Sequence, residues 1–180
     1  MNYLLVGNAE CRNVAELAKD ADVIVQINSC RHNAALPKRT KYVFVVNSGG
    51  QMSSVVQNMP LSELEDATVI LARNPMIYGI KQWLLRKSNI SGFETFQICP
   101  KPSLPIPVKS ISCFEAFRLE CRMRRNGMAF RCHPSTGMVA YYWLCNRIKD
   151  EDSISIAAFT FEGWPGHPWA IERQFIKPIP

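Results

Sequence analysis

The residues best placed by type and spacing to do chemistry lie near the end of the chain. His167 sits in Gly163-Trp164-Pro165-Gly166-His167-Pro168-Trp169, a glycine- and proline-rich loop, and Glu172 follows five positions later. Imidazole titrates near neutral pH, so a loop histidine beyond a strand can move a proton to or from a bound ligand. Glu172 could orient it. The same residues also fit a histidine packed between Trp164 and Trp169, with Glu172 as a helix-start carboxylate. His133 precedes a proline on the same prospective rim. His32 lies in a polar loop with Arg31, Lys38, Arg39 and Lys41, which could steer an anion.

Hydroxyl, amide and glycine residues form a second group. Ser135-Thr136-Gly137 precedes an apolar helical run, and hydroxyls with N–H groups at a helix start make a phosphate seat or an ordinary cap. Gly7-Asn8 closes the first apolar run, Asn28 the second, and Asn47-Ser48-Gly49-Gly50 the third. There is no Gly-Lys-Ser/Thr of a nucleoside-triphosphate loop and no Gly-x-Gly-x-x-Gly, which disfavours a triphosphate hydrolase and a standard dehydrogenase.

These groups need elements to hold them. Short apolar strands at Tyr3 to Val6, Asp22 to Asn28, Tyr42 to Val46 and Ala67 to Leu71 alternate with helical stretches at Asn13 to Ala21 and Pro75 to Arg86. That alternation predicts an α/β fold, a Rossmann-like three-layer sandwich with a mostly parallel sheet. Cys99 to Val108 carries four prolines and reads as an extended connector. Ser112 to Arg125, Met138 to Ile148 and Ala170 to Ile176 read as helices, and Ser153 to Phe161 as a strand. In such a sheet ligands bind beyond the carboxyl ends of the strands, where all the punctuated loops fall.

Composition sets outer bounds. The 180 residues suit one domain spanning 1–180. The net charge of +6 suits an anionic small ligand, and no nucleic-acid module is recognisable. The seven cysteines include no Cys-x-x-Cys pair, so neither a zinc site nor any other metal or cofactor is called for. Mostly buried thiols, no secretory leader and no membrane span are expected, which points to the cytoplasm.

Taken in order, the motifs resemble the sialyltransferase superfamily, glycosyltransferase family 29. Leu5-Val6-Gly7-Asn8 looks like the opening of that family's large motif. Val25-Gln26-Ile27-Asn28 looks like its Arg-x-Asn segment, with Gln26 replacing arginine. Pro134-Ser135-Thr136-Gly137, followed by an apolar helix with Cys145, looks like the small motif, and His167 with Glu172 matches the very small motif. The resemblance implies that Asn8, Asn28 and the Ser/Thr-Gly turn hold a CMP-linked sugar, and that His167 acts on the phosphate or is the catalytic residue. Tyr3 and Leu4 stand where the family carries a cysteine, so its usual disulfide to Cys145 cannot form in that way. The region Gly50 to Cys132 is abbreviated, and acceptor binding would have to come from it.

A closer resemblance is to short bacterial urease operon accessory proteins, through Gly7-Asn8, Asn28 to Arg31 and Gly163 to Arg173. The combined expectation is a metal-independent transferase with Gly7, Asn8, Asn28, Asn47, Ser48, Gly49, Ser135, Thr136 and Gly137 around the nucleotide, and His167 and Glu172 as catalytic groups. Its partners would be a CMP-linked sugar and an acceptor hydroxyl. The alternative is a non-catalytic nucleotide-binding accessory protein of a urease or surface-polysaccharide pathway, with a protein partner.

Overall fold

The computed structural model describes residues 1–37, 40–48, 51–87 and 102–176. Among the described residues six parallel strands form one sheet in the order β5-β4-β3-β2-β1-β6. They are β1 (Asn2–Val6), β2 (Val23–Ile27), β3 (Thr40–Val45), β4 (Thr68–Leu71), β5 (Val108–Ser110) and β6 (Ser153–Ala157). The helices are α1 (Val14–Lys19), α2 (Gln51–Gln57), α3 (Pro75–Lys87), α4 (Cys113–Arg125), α5 (Thr136–Cys145) and α6 (Trp169–Phe175). This is the Rossmann-like three-layer arrangement that the alternating pattern predicts.

Alternation along each strand sorts the core into two sides. Leu4, Val6 and Ile24 pack with Val14 and Ala18 of α1, while Val43, Val45, Val69 and Leu71 pack with Met52 of α2. Leu5, Val25, Phe44 and Ile70 face the other way, onto Leu119 and Met123 of α4 and Met138, Val139 and Tyr142 of α5. Fully burying each such large side chain stabilises the fold by about 1.5–3 kcal/mol. α5 is buried along almost its whole length, as a helix apolar all round must be.

The chain builds outward from β1 through β2, β3 and β4 to β5, then returns to place β6 on the other side of β1. The carboxyl ends of β1 and β6 therefore flank the topological switch point, where crossovers diverge to opposite faces and leave a crevice.

Three sequence expectations need correction. The proline-rich connector ends in β5, an edge strand beside β4. With only three residues and one buried position it carries too little pattern to be read. The strand beginning at Ser153 stops at Ala157, because Ala158 turns into the left-handed region with φ 61°. Among the described cysteines only Cys30 is buried; Cys11, Cys113, Cys121, Cys132 and Cys145 are half-buried and free. Among the described residues no helix is long and apolar enough to cross a membrane.

Candidate functional site

A cleft of about 340 Å³ opens at the switch point, within the size range of small-molecule sites. Its walls are Gly7, Asn8 and Ala9 after β1, Asn28 after β2, Ser135, Thr136 and Gly137 at the start of α5, Ala158 to Glu162 after β6, and His167 with Trp169. Of the nine positions expected around a nucleotide, six converge here. Gln51 of α2 and the rings of Phe159 and Phe161 were not foreseen.

The turn after β1 is held by the turn after β6. Gly7 N–H donates to the Ala157 carbonyl and Ala9 N–H to that of Ala158, both at 2.9 Å. A Cβ on Gly7 would lie 2.1 Å from the Ala158 oxygen. Gly7 is thus required by close approach of the chain's own backbone. It does not seat an anion on a helix start, since the short α1 begins only at Val14. Gly137 has a similar origin, because a Cβ there would meet the Phe159 ring at 2.3 Å.

Asn28 adopts φ 51°, and its Oδ1 accepts the Val46 N–H at 3.0 Å. That bond ties the ends of β2 and β3 together and leaves Nδ2 as the amide's donor at the cleft. Asn28, Ala158 and Phe161 are three of the four described non-glycine residues with left-handed backbone, and all three line this cleft. Unfavourable backbone concentrated at one crevice is a mark of functional sites.

Ser135 is the N-cap of α5. Its Oγ accepts the Met138 N–H at 3.1 Å and donates to Glu172 Oε2 at 2.6 Å. Its own N–H donates to Glu172 Oε1 at 2.7 Å. The hydroxyl is thereby consumed, and Ser135 positions the helix start instead of offering a free donor. Among the described residues, the N–H groups of Thr136 and Gly137 in the first turn have no internal acceptor. They and the positive end of α5 are what this corner presents to an anion.

Glu172 does not line the cleft. It is wholly buried behind Ser135, where burial raises its carboxyl above the usual range against the opposing Ser135 bonds and the Arg73 charge. Its place in the structure is that of a positioning residue, which corrects the expectation of a catalytic glutamate.

His167 is clasped edge-on by Trp164 and Trp169, each ring centroid 4.9 Å away. Its Nδ1 lies 2.8 Å from the His133 carbonyl. A carbonyl only accepts, so Nδ1 carries the proton and Nε2 keeps its lone pair. Burial, with the Arg73 charge, brings the ring pKa down to about 4, against the His133 bond that favours the charged form. At neutral pH this is a neutral imidazole whose Nε2 is unprotonated.

His133 is not on the rim. It is buried, and its Nδ1 lies 3.0 Å from Lys81 Nζ. Lys81 also donates to both Glu120 oxygens and to the Cys132 carbonyl. Burial pulls the Lys81 ammonium down to about 8 while Glu120 supports its charge. The ammonium makes His133 Nδ1 an acceptor, and burial together with that charge pushes this ring down to about 2. His133 also donates its N–H to the Gly166 carbonyl at 2.9 Å. The Lys81–Glu120 pair therefore anchors the backbone that orients His167. The cluster borders a small inner cavity of about 30 Å³ that Arg73 also lines.

The loop after β3 goes elsewhere. Asn47 is buried and exchanges two hydrogen bonds with the backbone of Arg73, at 2.7 and 3.0 Å. Its amide is spent tying β3 to β4, so it offers nothing to a ligand. Ser48 lies outside the cleft wall. Gly49 lies outside the described residues. His32 Nε2 contacts the Ala9 carbonyl at 2.7 Å, so it braces the β1 turn. Gln26, where the family resemblance expects arginine, is buried and donates to Asn33 and Thr40.

Arg73 and Lys81 escaped the sequence reading. Arg73 follows β4 closely, at the carboxyl edge that positions ligands, and that place was the available signal. Lys81 had none, because a lysine within an amphipathic helix reads as solvated. Among the described residues no group of three His, Cys, Asp or Glu is placed to hold a metal ion. No protein-family model matches this chain, and no curated protein or solved structure matches it at a significant level.

Proposed function

We propose that this protein binds a CMP-activated sugar in the switch-point cleft and transfers the sugar to an acceptor hydroxyl. The observation that carries the reading is the convergence of Asn8, Asn28, the open first turn of α5 and His167 on one crevice. The Thr136 and Gly137 N–H groups receive the phosphate. Phe159, Phe161 and Trp169 supply aromatic wall for a base.

His167 acts as general base. With Nδ1–H committed to the His133 carbonyl, Nε2 takes the proton from the acceptor hydroxyl as that oxygen bonds the anomeric carbon. The bond from that carbon to the phosphate oxygen breaks, and CMP leaves with the electron pair. No step needs a metal, because the leaving group is a monophosphate held by backbone N–H groups.

Calorimetry with CMP, UMP and AMP tests the site. Binding of CMP in preference to the others supports it, and no heat at millimolar CMP rejects it. With a CMP-sugar and a panel of acceptors, His167→Ala is expected to lower turnover by about 10²–10⁴-fold while CMP affinity holds within a few-fold.

One observation favours the non-catalytic alternative. Gln26 places no cation in the second motif, and its amide is already bonded within the protein. CMP-sugar binding without release of CMP under any acceptor would select that reading.

A further inference from the structure

Eight large apolar side chains are exposed among the described residues, and six of them lie on α3 and α4. Met76, Ile80, Trp83 and Leu84 fall at helical spacing along α3, and Phe114 and Phe117 along α4. The inner faces of the two helices are clamped together by the Lys81–Glu120 ion pair, so their outer faces lie side by side. Isolated exposed apolar residues are ordinary, whereas a contiguous group of this size marks a contact surface.

The charge on this surface has one sign. Arg86 and Lys87 on α3 and Arg118, Arg122 and Arg125 on α4 are exposed. α3 carries no acidic residue, and both acids of α4 are occupied, Glu115 by Arg147 and Glu120 by Lys81. Lys87 lies over the Trp83 ring at 4.6 Å and Arg118 over Phe114 at 5.2 Å. The cationic heads of Lys87 and Arg118 thus rest on ring faces, so basic and aromatic groups are interleaved on this surface.

We infer that the outer face of α3 and α4 docks on an anionic lipid surface, with Met76, Ile80, Trp83, Leu84, Phe114 and Phe117 entering the headgroup–acyl boundary and the five basic residues meeting lipid phosphates. An apolar stripe edged by lysine and arginine, with aromatic residues at the boundary, is the pattern of interfacial helices. A second copy of the chain fits worse, because two-fold pairing would set five cations against five. Nucleic acid would use the basic and aromatic residues but has no use for Met76, Ile80 and Leu84. The inference is independent of what the cleft binds.

Sedimentation with vesicles tests it on the full chain. Phosphatidylglycerol-rich vesicles are expected to pellet the protein at low salt, and pure phosphatidylcholine vesicles are not. Binding is expected to weaken at molar salt, where screening acts within about 3 Å. Each basic residue near such a surface is worth about fivefold in partition. Arg118→Glu with Arg125→Glu should therefore lower binding by roughly 25-fold or more. Trp83→Ser with Phe117→Ser should abolish it with the melting temperature kept, since both rings are exposed.

Four results would overturn the proposal. They are no pelleting with the anionic vesicles, equal pelleting with neutral ones, undiminished binding by the Trp83/Phe117 variant, or a concentration-dependent dimer that those substitutions dissociate. Retention of a single-stranded oligonucleotide without vesicle binding would assign the face to nucleic acid instead.

Discussion

Two helices of this protein begin with the same chemistry built in two ways. At α4 the cap Ser112 accepts the Glu115 N–H at 3.2 Å, and the Glu115 carboxylate takes bonds from the Ser112 N–H and hydroxyl. At α5 the cap Ser135 accepts the Met138 N–H, and a carboxylate again takes bonds from the serine N–H and hydroxyl. There the carboxylate is Glu172, 37 residues away on α6. The first is a local capping box on the surface. The second is buried and tertiary, with its carboxylate supplied from behind the helix start. The difference shows what each is for: α4 needs only a start, whereas α5 must be fixed against α6 with its first N–H groups facing a cleft.

The contrast predicts unequal losses. Glu172→Ala removes a buried acceptor and strands the Ser135 N–H and hydroxyl, so it is expected to cost about 3–5 kcal/mol. Glu115→Ala breaks bonds that water can replace and should cost about 1 kcal/mol or less. Urea denaturation measures both. Equal losses would mean that the α5 cap is as solvated as the α4 cap. If Glu172→Ala does not fold, Glu172→Gln keeps the volume and one acceptor, and should still lose more than Glu115→Gln.

The serines should follow in the same order at smaller scale. Ser135→Ala leaves the Glu172 carboxylate short of its hydroxyl donor in a buried place and should cost about 2–3 kcal/mol. Ser112→Ala should cost the usual ~1 kcal/mol of a lost cap. On the proposed function, Ser135→Ala should also weaken CMP binding, because the open turn of α5 is no longer held in place. Ser112→Ala should leave binding unchanged.

Acid sharpens the comparison through His167, which stands only at the α5 end. Its folded pKa of about 4 lies below its ordinary 6.5. The unfolded chain therefore binds that proton first, and stability falls as pH drops from 6.5 toward 4. His167→Gln should give a shallower fall over that window. Glu115→Ala should fall in parallel with the wild type over the upper part of that window, well above 4.5, where Glu115 is ionised in both states. A slope unchanged by His167→Gln would place the imidazole in water.

How much of this was legible depends on range. The sheet was readable because each strand carries its own apolar run, and the loops after β1 and β2 because Gly7, Asn8 and Asn28 close those runs. Asn47 looked the same in sequence, yet its amide is consumed by Arg73, a partner 26 residues away. Ser135 reads as either a cap or part of a phosphate seat, among the contacts expected for the nucleotide, whereas its hydroxyl is spent on the cap and on Glu172. Its carboxylate was invisible because the third helical position is Met138 and not glutamate. His167 could be picked out but not its role, since the proton's position is set by the His133 carbonyl. The Lys81–Glu120 anchor joins α3 to α4 through residues that each read as surface charge.

The finest test of the two caps is the titration of their carboxyl groups, which should move in opposite directions. Burial raises Glu172 above the ordinary 4.5, with the Ser135 bonds and Arg73 opposing. Its ionisation thus costs stability, and the cost enters as pH rises from 4.5 through its folded value. Glu115 is half-buried, which would raise it, but the bonds from Arg147 and Ser112 outweigh burial and hold it below 4.5. Its contribution is fully present above 4.5 and is lost as pH falls through that lower value. Carbon-13 chemical shifts of the two side-chain carboxyls followed through acid should bracket the free glutamate value. Both groups titrating on the acid side would mean that water reaches Glu172, and then the start of α5 is not sealed from behind and its turn is not fixed for an anion.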